Sequence, residues 1–186
     1  MGNVFRAVSP MTEGEIEDHA DALRGIFGFD KSGRIAMVRL LELFEEWLPD
    51  YIFHVLPDEE MPGLDGFTGN EDCEICLSES TYFALNQGDP HARHTAAHEL
   101  GHLLLHCKMP TAFAFRSSYD RKVDPEWQAD HFADVFLMPA EGVGVCQSVE
   151  EVAEKYSVPL ERARIRVNEL VRKQRAAAEI QGELFQ

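Results

Sequence analysis

The sequence predicts an α+β fold, in which a small, mostly antiparallel sheet packs against helices and a helical segment follows at the C-terminal end. Three observations predict it. Capped apolar runs at helical spacing open the chain, residues 51–87 break into short apolar runs separated by Pro, Gly, Asp and Asn, and two further helical patterns occupy 90–138. A chain of 186 residues, 45% hydrophobic, can bury one core with a small appendage. The expected organisation is a domain over 1–140, with N-terminal helices in 12–48, the sheet in 51–87 and two helices in 90–138, followed by a helical C-terminal segment, 141–186.

Thr12 and Glu15 have the form of a capping box, and Ile16, Ala20, Leu23 and Phe27 follow at helical spacing until Gly28, which predicts a helix over 12–27. Asp30 or Ser32 is expected to open a second helix, with Ile35, Val38, Leu41, Leu43, Phe44 and Trp47 as its apolar face, stopped by Pro49. The runs YIFHVL, GLDGF, CEICL and TYFAL read as three or four strands, largely antiparallel because their connections are too short for crossovers. Asp89-Pro90 opens one helix, and Asp124-Pro125 opens another that ends near Leu137-Met138, before Pro139. Between these helices, residues 107–123 show no periodicity and read as a loop whose Phe113, Phe115 and Tyr119 could line a cleft. Ser148 with Glu151 caps a helix ending near Tyr156, and a Ser-Val-Pro break leads into a last helix over about 160–174, with a fraying tail.

The chemistry is concentrated in His98-Glu99-Leu100-Gly101-His102. Side chains at i and i+4 share one helix face, so His98 and His102 can offer two imidazole nitrogens to one metal ion, with Glu99 in reach of a water there. Ala96, Ala97, Leu100, Leu103, Leu104 and Leu105 make the helix apolar, and buried histidines and carboxylates need partners. Catalytic zinc takes three protein ligands. A third histidine in the metzincin pattern would need glycine at position 105 and histidine at 108, where this chain has Leu105 and Lys108. Glu126 fits instead, because Asp130 stands four residues later on the same face and can accept a ligand histidine's free N–H. Asp120, Asp124 and Asp130 are the other carboxylates in range of the role. His94 and His106 extend the i, i+4 ladder, but a drift of about 40° per step takes them off the metal face. They and His91 read as cleft-edge or supporting groups, and His131 as core or surface. Tyr119 and Tyr156 are candidates for stabilising an oxyanion.

The formal net charge is −16, which disfavours direct binding to nucleic acid and favours a basic protein partner. Residues 1–140 hold 25 acids and 10 bases, whereas 141–186 hold 8 and 7. Within 162–175, six bases face the single acid Glu169, so the helix-turn-helix-like stretch 149–173 is the one place where DNA contact enters. No run is long and apolar enough for a membrane span, and the start has no signal-peptide pattern, so the expected location is cytoplasmic. Cys73, Cys76, Cys107 and Cys146 are expected as reduced thiols; Cys73 and Cys76 have metal-ligand spacing without a second pair to complete a site.

The stretch from HELGH through EWQADHFADVFLMP resembles the ImmA/IrrE-type metallopeptidases, whose signature couples HExxH to a downstream ExxA(N/D)xFA…LMP segment. The resemblance is specific over about 80–140. It implies a zincin-like metallopeptidase domain over 1–140, zinc held by His98, His102 and Glu126, and Glu99 as the catalytic acid and base. It also implies a substrate, a helix-turn-helix transcriptional repressor whose cleavage derepresses stress-response or mobile-element genes. The competing reading is a regulatory binding protein that sequesters a basic DNA-binding partner without hydrolysis.

Overall fold

Asp89 fixes the start of the helix on which the fold is centred. The structure is a computed structural model that describes residues 4–30, 33–69, 73–109, 112–115 and 120–184. In it the Asp89 side chain accepts from the Ala92 N–H at 2.9 Å, with Pro90 in the first turn, and α4 runs Pro90–His106. Ala92, Ala96, Ala97, Leu100, Leu103 and Leu105 bury its apolar side. Helix α5, Pro125–Leu137, packs against it more extensively than any other element. Gly101 makes that approach possible, since a Cβ there would lie 3.1 Å from the Ala129 Cα and carbonyl oxygen.

The first helix, α1, is Glu13–Ile26, with the expected capping box: the Thr12 N–H donates to Glu15 Oε2 at 2.8 Å, and the Glu15 N–H to Thr12 Oγ1 at 3.3 Å. Its Ile16, Ala20 and Leu23 are buried, and it lies along α5. Helix α2 is Met37–Trp47, later than the start expected at Asp30 or Ser32. Arg24 captures the Asp30 carbonyl, the Gly33 N–H bonds the same oxygen, and Ile35 is drawn into the core before the helix begins; Ser32 lies outside the described residues. Met37, Leu40, Leu41 and Phe44 form the buried face, while Trp47, expected on it, is 57% exposed.

Three of the four expected strands form: β2 (Ile52–Leu56), β3 (Gly66–Gly69) and β4 (Glu74–Ser78), in the order β2-β4-β3. The pairing corrects the antiparallel expectation in half. β3 pairs antiparallel with β4, but β2 runs parallel to it, because β3 itself serves as the crossover. The fourth run, TYFAL, is not a strand. It lies in helix α3, Glu79–Asn86, since the Ser78 hydroxyl accepts from the Thr81 N–H and Thr81 and Leu85 bury at i, i+4 spacing. The region 107–123 is not structureless: Ala112–Phe115 forms β5, antiparallel to β1 (Val4–Ala7), and Arg121–Val123 is a 3-10 turn. Tyr119 lies outside the described residues.

After the short α6 (Ala140–Val143), α7 (Val149–Tyr156) begins at the expected Ser148 cap, which accepts from the Glu151 N–H at 3.1 Å. The last helix, α8, runs Leu160–Leu184. It passes the expected end near 174, in keeping with Ala176, Ala177 and Ala178 as strong helix formers; Phe185 and Gln186 lie outside the described residues. Val152, Tyr156, Val158 and Ala163 join the same core as α1, α4 and α5. Four of the six bases in 162–175 are spent on internal ion pairs: Arg162 with Asp130 and Asp134, Arg166 with Glu17 and Glu169, Arg172 with Glu13, and Lys173 with Glu17 and Glu169.

Cys73 and Cys107 form a disulfide across 34 positions, their Cα atoms 5.5 Å apart, which corrects the expectation of four free thiols; Cys76 is buried and free. It ties the start of β4 to the residue that caps α4.

Two stability outcomes follow. Gly101→Ala should lower unfolding stability by about 1–3 kcal/mol in a denaturant melt, because the added methyl presses on the Ala129 backbone, which cannot rotate away. Reducing the disulfide should lower it by about 2–4 kcal/mol, the usual effect of opening a loop of this size, and Cys107→Ser should abolish the response to reductant.

Candidate metal centre

The i, i+4 spacing on α4 places His98 and His102 side by side, and the first turn of α5 brings Glu126 to them. The Asp124 side chain accepts from the Glu126 N–H at 3.0 Å and fixes where that turn begins. His98 Nε2 and His102 Nε2 are 3.0 Å apart. Glu126 Oε2 lies 3.4 Å from the first, and Oε1 lies 3.5 Å from the second. Tetrahedral zinc with bonds of about 2.0–2.1 Å needs ligand atoms about 3.3 Å apart. The three donors therefore match one face of such a polyhedron, and their chemistry, two imidazoles and a carboxylate, suits the same ion. The histidine side chains are 18% and 13% exposed and that of Glu126 is 70%, so the triangle sits at the floor of an opening, with Glu126 at its rim.

Each imidazole is oriented from behind. His98 Nδ1–H donates to Asp130 Oδ1 at 2.9 Å. Arg162 on α8 holds Asp130 in turn, donating to its Oδ2 at 3.1 Å and to its carbonyl at 3.2 Å, and grips Asp134 at 2.6 Å and 2.9 Å. His102 Nδ1 meets His106 Nδ1 at 3.0 Å, and His106 Nε2 meets Gln128 Oε1 at 2.9 Å. The Gln128 amide donates to the carbonyls of Ser9 at 2.9 Å and Lys122 at 2.6 Å, which leaves its oxygen as the acceptor. His106 then donates from Nε2 and accepts at Nδ1, so His102 donates from Nδ1 and turns its Nε2 lone pair to the triangle.

Glu99 is 7% exposed beside the triangle. The Thr68 hydroxyl of β3 lies 2.8 Å from its Oε2. Room for its stem comes from Gly66, where a Cβ would stand 3.1 Å from Glu99 Cγ. Burial raises the Glu99 carboxyl above the ordinary carboxylate range, against the pull of Thr68 and the two histidines. At His98, burial opposes the charge, but the bonds to Asp130 and Glu126 prevail and push its pKa up to about 9. The neighbouring His102 and His98 hold Glu126 far below its usual range.

All five residues singled out in the sequence, His98, Glu99, His102, Glu126 and Asp130, meet here. His94 supports the neighbouring rung, 3.3 Å from Asp134, and His91 pairs with Asp65 on the surface. His131 is buried and stacked on Trp127. Tyr156 is wholly buried in the core and presents no group to an open site. Sequence reading missed Thr68, Gly66, Gln128, Asp134 and Arg162. Asp134 was open to it, standing four residues after Asp130 as Asp130 stands after Glu126; Arg162 was hidden in a basic stripe.

Residues 81–168 match the family model of Peptidase_M78, the IrrE N-terminal-like domain. The match begins in α3, ends in α8, and contains every residue of the triangle together with Glu99, Asp130 and Arg162. No curated protein matches the chain at a significant level.

In the metal-free chain, His98 is expected to titrate near pH 9 by ring-proton NMR. Its folded pKa lies above the unfolded value of about 6.5, so the stability it contributes is complete below about pH 6.5 and is lost as pH rises through about 9. Asp130→Asn should move the titration down and flatten that loss; an unchanged midpoint would show that Asp130 does not hold the proton.

Proposed function

Because the chain belongs, through residues 81–168, to the IrrE N-terminal-like peptidase family, we propose that it is a zinc-dependent, site-specific peptidase whose substrate is a helix-turn-helix transcriptional repressor. The observation that carries the chemistry is the triangle of His98 Nε2, His102 Nε2 and a Glu126 oxygen, with the Glu99 carboxylate buried at its side. His98, His102 and Glu126 would hold the ion, and Asp130 and His106 would fix the two imidazole tautomers. Zinc, when bound, supplies Lewis acidity that polarises a peptide carbonyl and eases the deprotonation of water.

Glu99 performs the proton transfers. Thr68 occupies its Oε2, so Oε1 takes the proton of the attacking water and delivers it to the departing amine. Burial of the carboxyl favours its protonated form, which helps it accept the first proton. β3 is the edge strand of its sheet and carries Thr68 beside Glu99, so an extended peptide can add to its free side within reach of the same carboxylate. The repressor assignment is supported by charge: a surface at −16 attracts the basic face of a DNA-binding protein. The consequence for a cell is derepression of the genes that repressor controls.

The test pairs the chain with the transcription factor encoded beside it, adds zinc, and follows discrete fragments by mass spectrometry. Glu99→Gln should bind zinc normally and cut at least about 100-fold more slowly, since the amide cannot accept a proton. Glu126→Ala should lose the metal by elemental analysis. Unchanged cleavage by Glu99→Gln would sink the mechanism, and repressor release by that variant without fragments would establish sequestration instead.

A further inference from the structure

Arg34, Arg39 and Arg93 converge on one cleft of about 600 Å³, bounded by the first turn of α2, the last turn of α3 and the second turn of α4. In a chain with 33 acids and 17 bases, three guanidiniums would be expected to find carboxylates. Among the described residues these three find none. Arg162 and Arg166, by contrast, each hold two carboxylates.

Arg93 is the decisive one. It is 4% exposed, and its bonds go only to neutral carbonyls, from Nη1 to Ile35 at 2.8 Å and from Nε to Ser157 at 3.2 Å. Among the described residues its Nη2 has no hydrogen-bond partner, and the residue lines the cleft. Arg34 lies across Gly88, whose φ of 78° and missing Cβ give the guanidinium its place. The two cations oppose each other: burial, reinforced by Arg34, lowers the Arg93 pKa to about 10. At the same cleft α2 begins at Ala36 with no side-chain cap, so the N–H groups of its first turn lack an acceptor and add their dipole. A buried cation without a counter-ion, a second cation beside it and uncapped amides all favour the same thing, an anion.

We propose that this cleft binds a phosphate-bearing small molecule of mononucleotide size. The volume falls in the range of small-molecule sites, about 300–1,000 Å³. Tyr82 supplies an aromatic surface, and Glu42, the one acid of the lining, adds an acceptor elsewhere on the wall. That mixture suits a ligand with hydroxyl or amine donors as well as phosphate. Arg93 stands on the helix that carries His98 and His102, so the ligand would dock on the scaffold of the metal site, outside the metal triangle.

Isothermal titration of the full chain with ADP and with pyrophosphate, against sodium chloride at matched ionic strength, tests the proposal. ADP should bind saturably at one site. Arg34→Gln with Arg39→Gln changes two exposed residues, so the fold should survive by circular dichroism while affinity falls at least tenfold. Phosphate can also coordinate a metal, so the titration is repeated with Glu126→Ala, in which the binding should persist. Non-saturating heats, affinity unchanged in the double arginine variant, loss of binding in Glu126→Ala, or binding of duplex DNA without ADP would each overturn it.

Discussion

Everything at the triangle of candidate metal donors depends on how closely α4 and α5 approach, and that approach depends on Gly101 facing the Ala129 backbone. The two helices cross antiparallel, and their four-residue repeats meet in register as three rungs. His94 faces Asp134 at 3.3 Å, His98 faces Asp130 at 2.9 Å, and His102 faces Glu126 at 3.5 Å. A helix separation set by a larger residue at position 101 would lengthen all three rungs together, because helices move as rigid bodies on this scale. The glycine within HELGH is thus part of the site's geometry, though it touches none of the donors.

Burying the inner end of the ladder, where Asp134 is 3% exposed, demands compensation, since unpaired ionised groups in a core are expensive. Arg162 provides it for two carboxylates at once, spanning Asp130 and Asp134 from α8. The C-terminal helix is therefore tied to α4 and α5 by charge as well as by the apolar contacts of Ala163, Val158 and Tyr156. The same economy explains the fate of the basic stripe. A guanidinium that has entered an ion pair within the chain has less potential left to project outward, and among the described residues Arg164 and Arg175 are the stripe's arginines without such a pair.

Much of this was legible in the sequence wherever the signal is local. Thr12 with Glu15, Asp89 with Pro90, Asp124 with Pro125 and Ser148 with Glu151 are caps, satisfied by atoms within four residues, and each marked its helix start. The histidine pair and Glu126 were legible for the same reason, as side chains whose spacing alone puts them on one face. Failures came where distant residues decide. One exception is local: TYFAL is apolar enough for a strand, but the Ser78 hydroxyl three residues before it caps α3. The parallel pairing of β2 with β4, the pairing of β1 with β5 and the Cys73–Cys107 bridge all join segments that nothing local relates. Thr68 belongs with these, since no pattern connects a threonine in a four-residue strand to a glutamate 31 positions later.

The segment Glu126-Trp127-Gln128-Ala129-Asp130 concentrates what the rest of the chain positions. Glu126 is a donor of the triangle, Asp130 accepts from His98, Gln128 ends the relay that begins at His102, and Ala129 presents the backbone against which Gly101 rests. The two relays differ in kind. His98 is backed by a carboxylate, which strengthens the imidazole as an electron donor, whereas His102 is backed by a neutral imidazole and an amide, which fix its tautomer without adding charge. Placing a second carboxylate behind His102 would set another negative group beside Glu126 and the buried Glu99 and raise the Glu99 pKa further. One charged relay and one neutral relay give both imidazoles a defined direction while sparing the buried Glu99 a further negative neighbour.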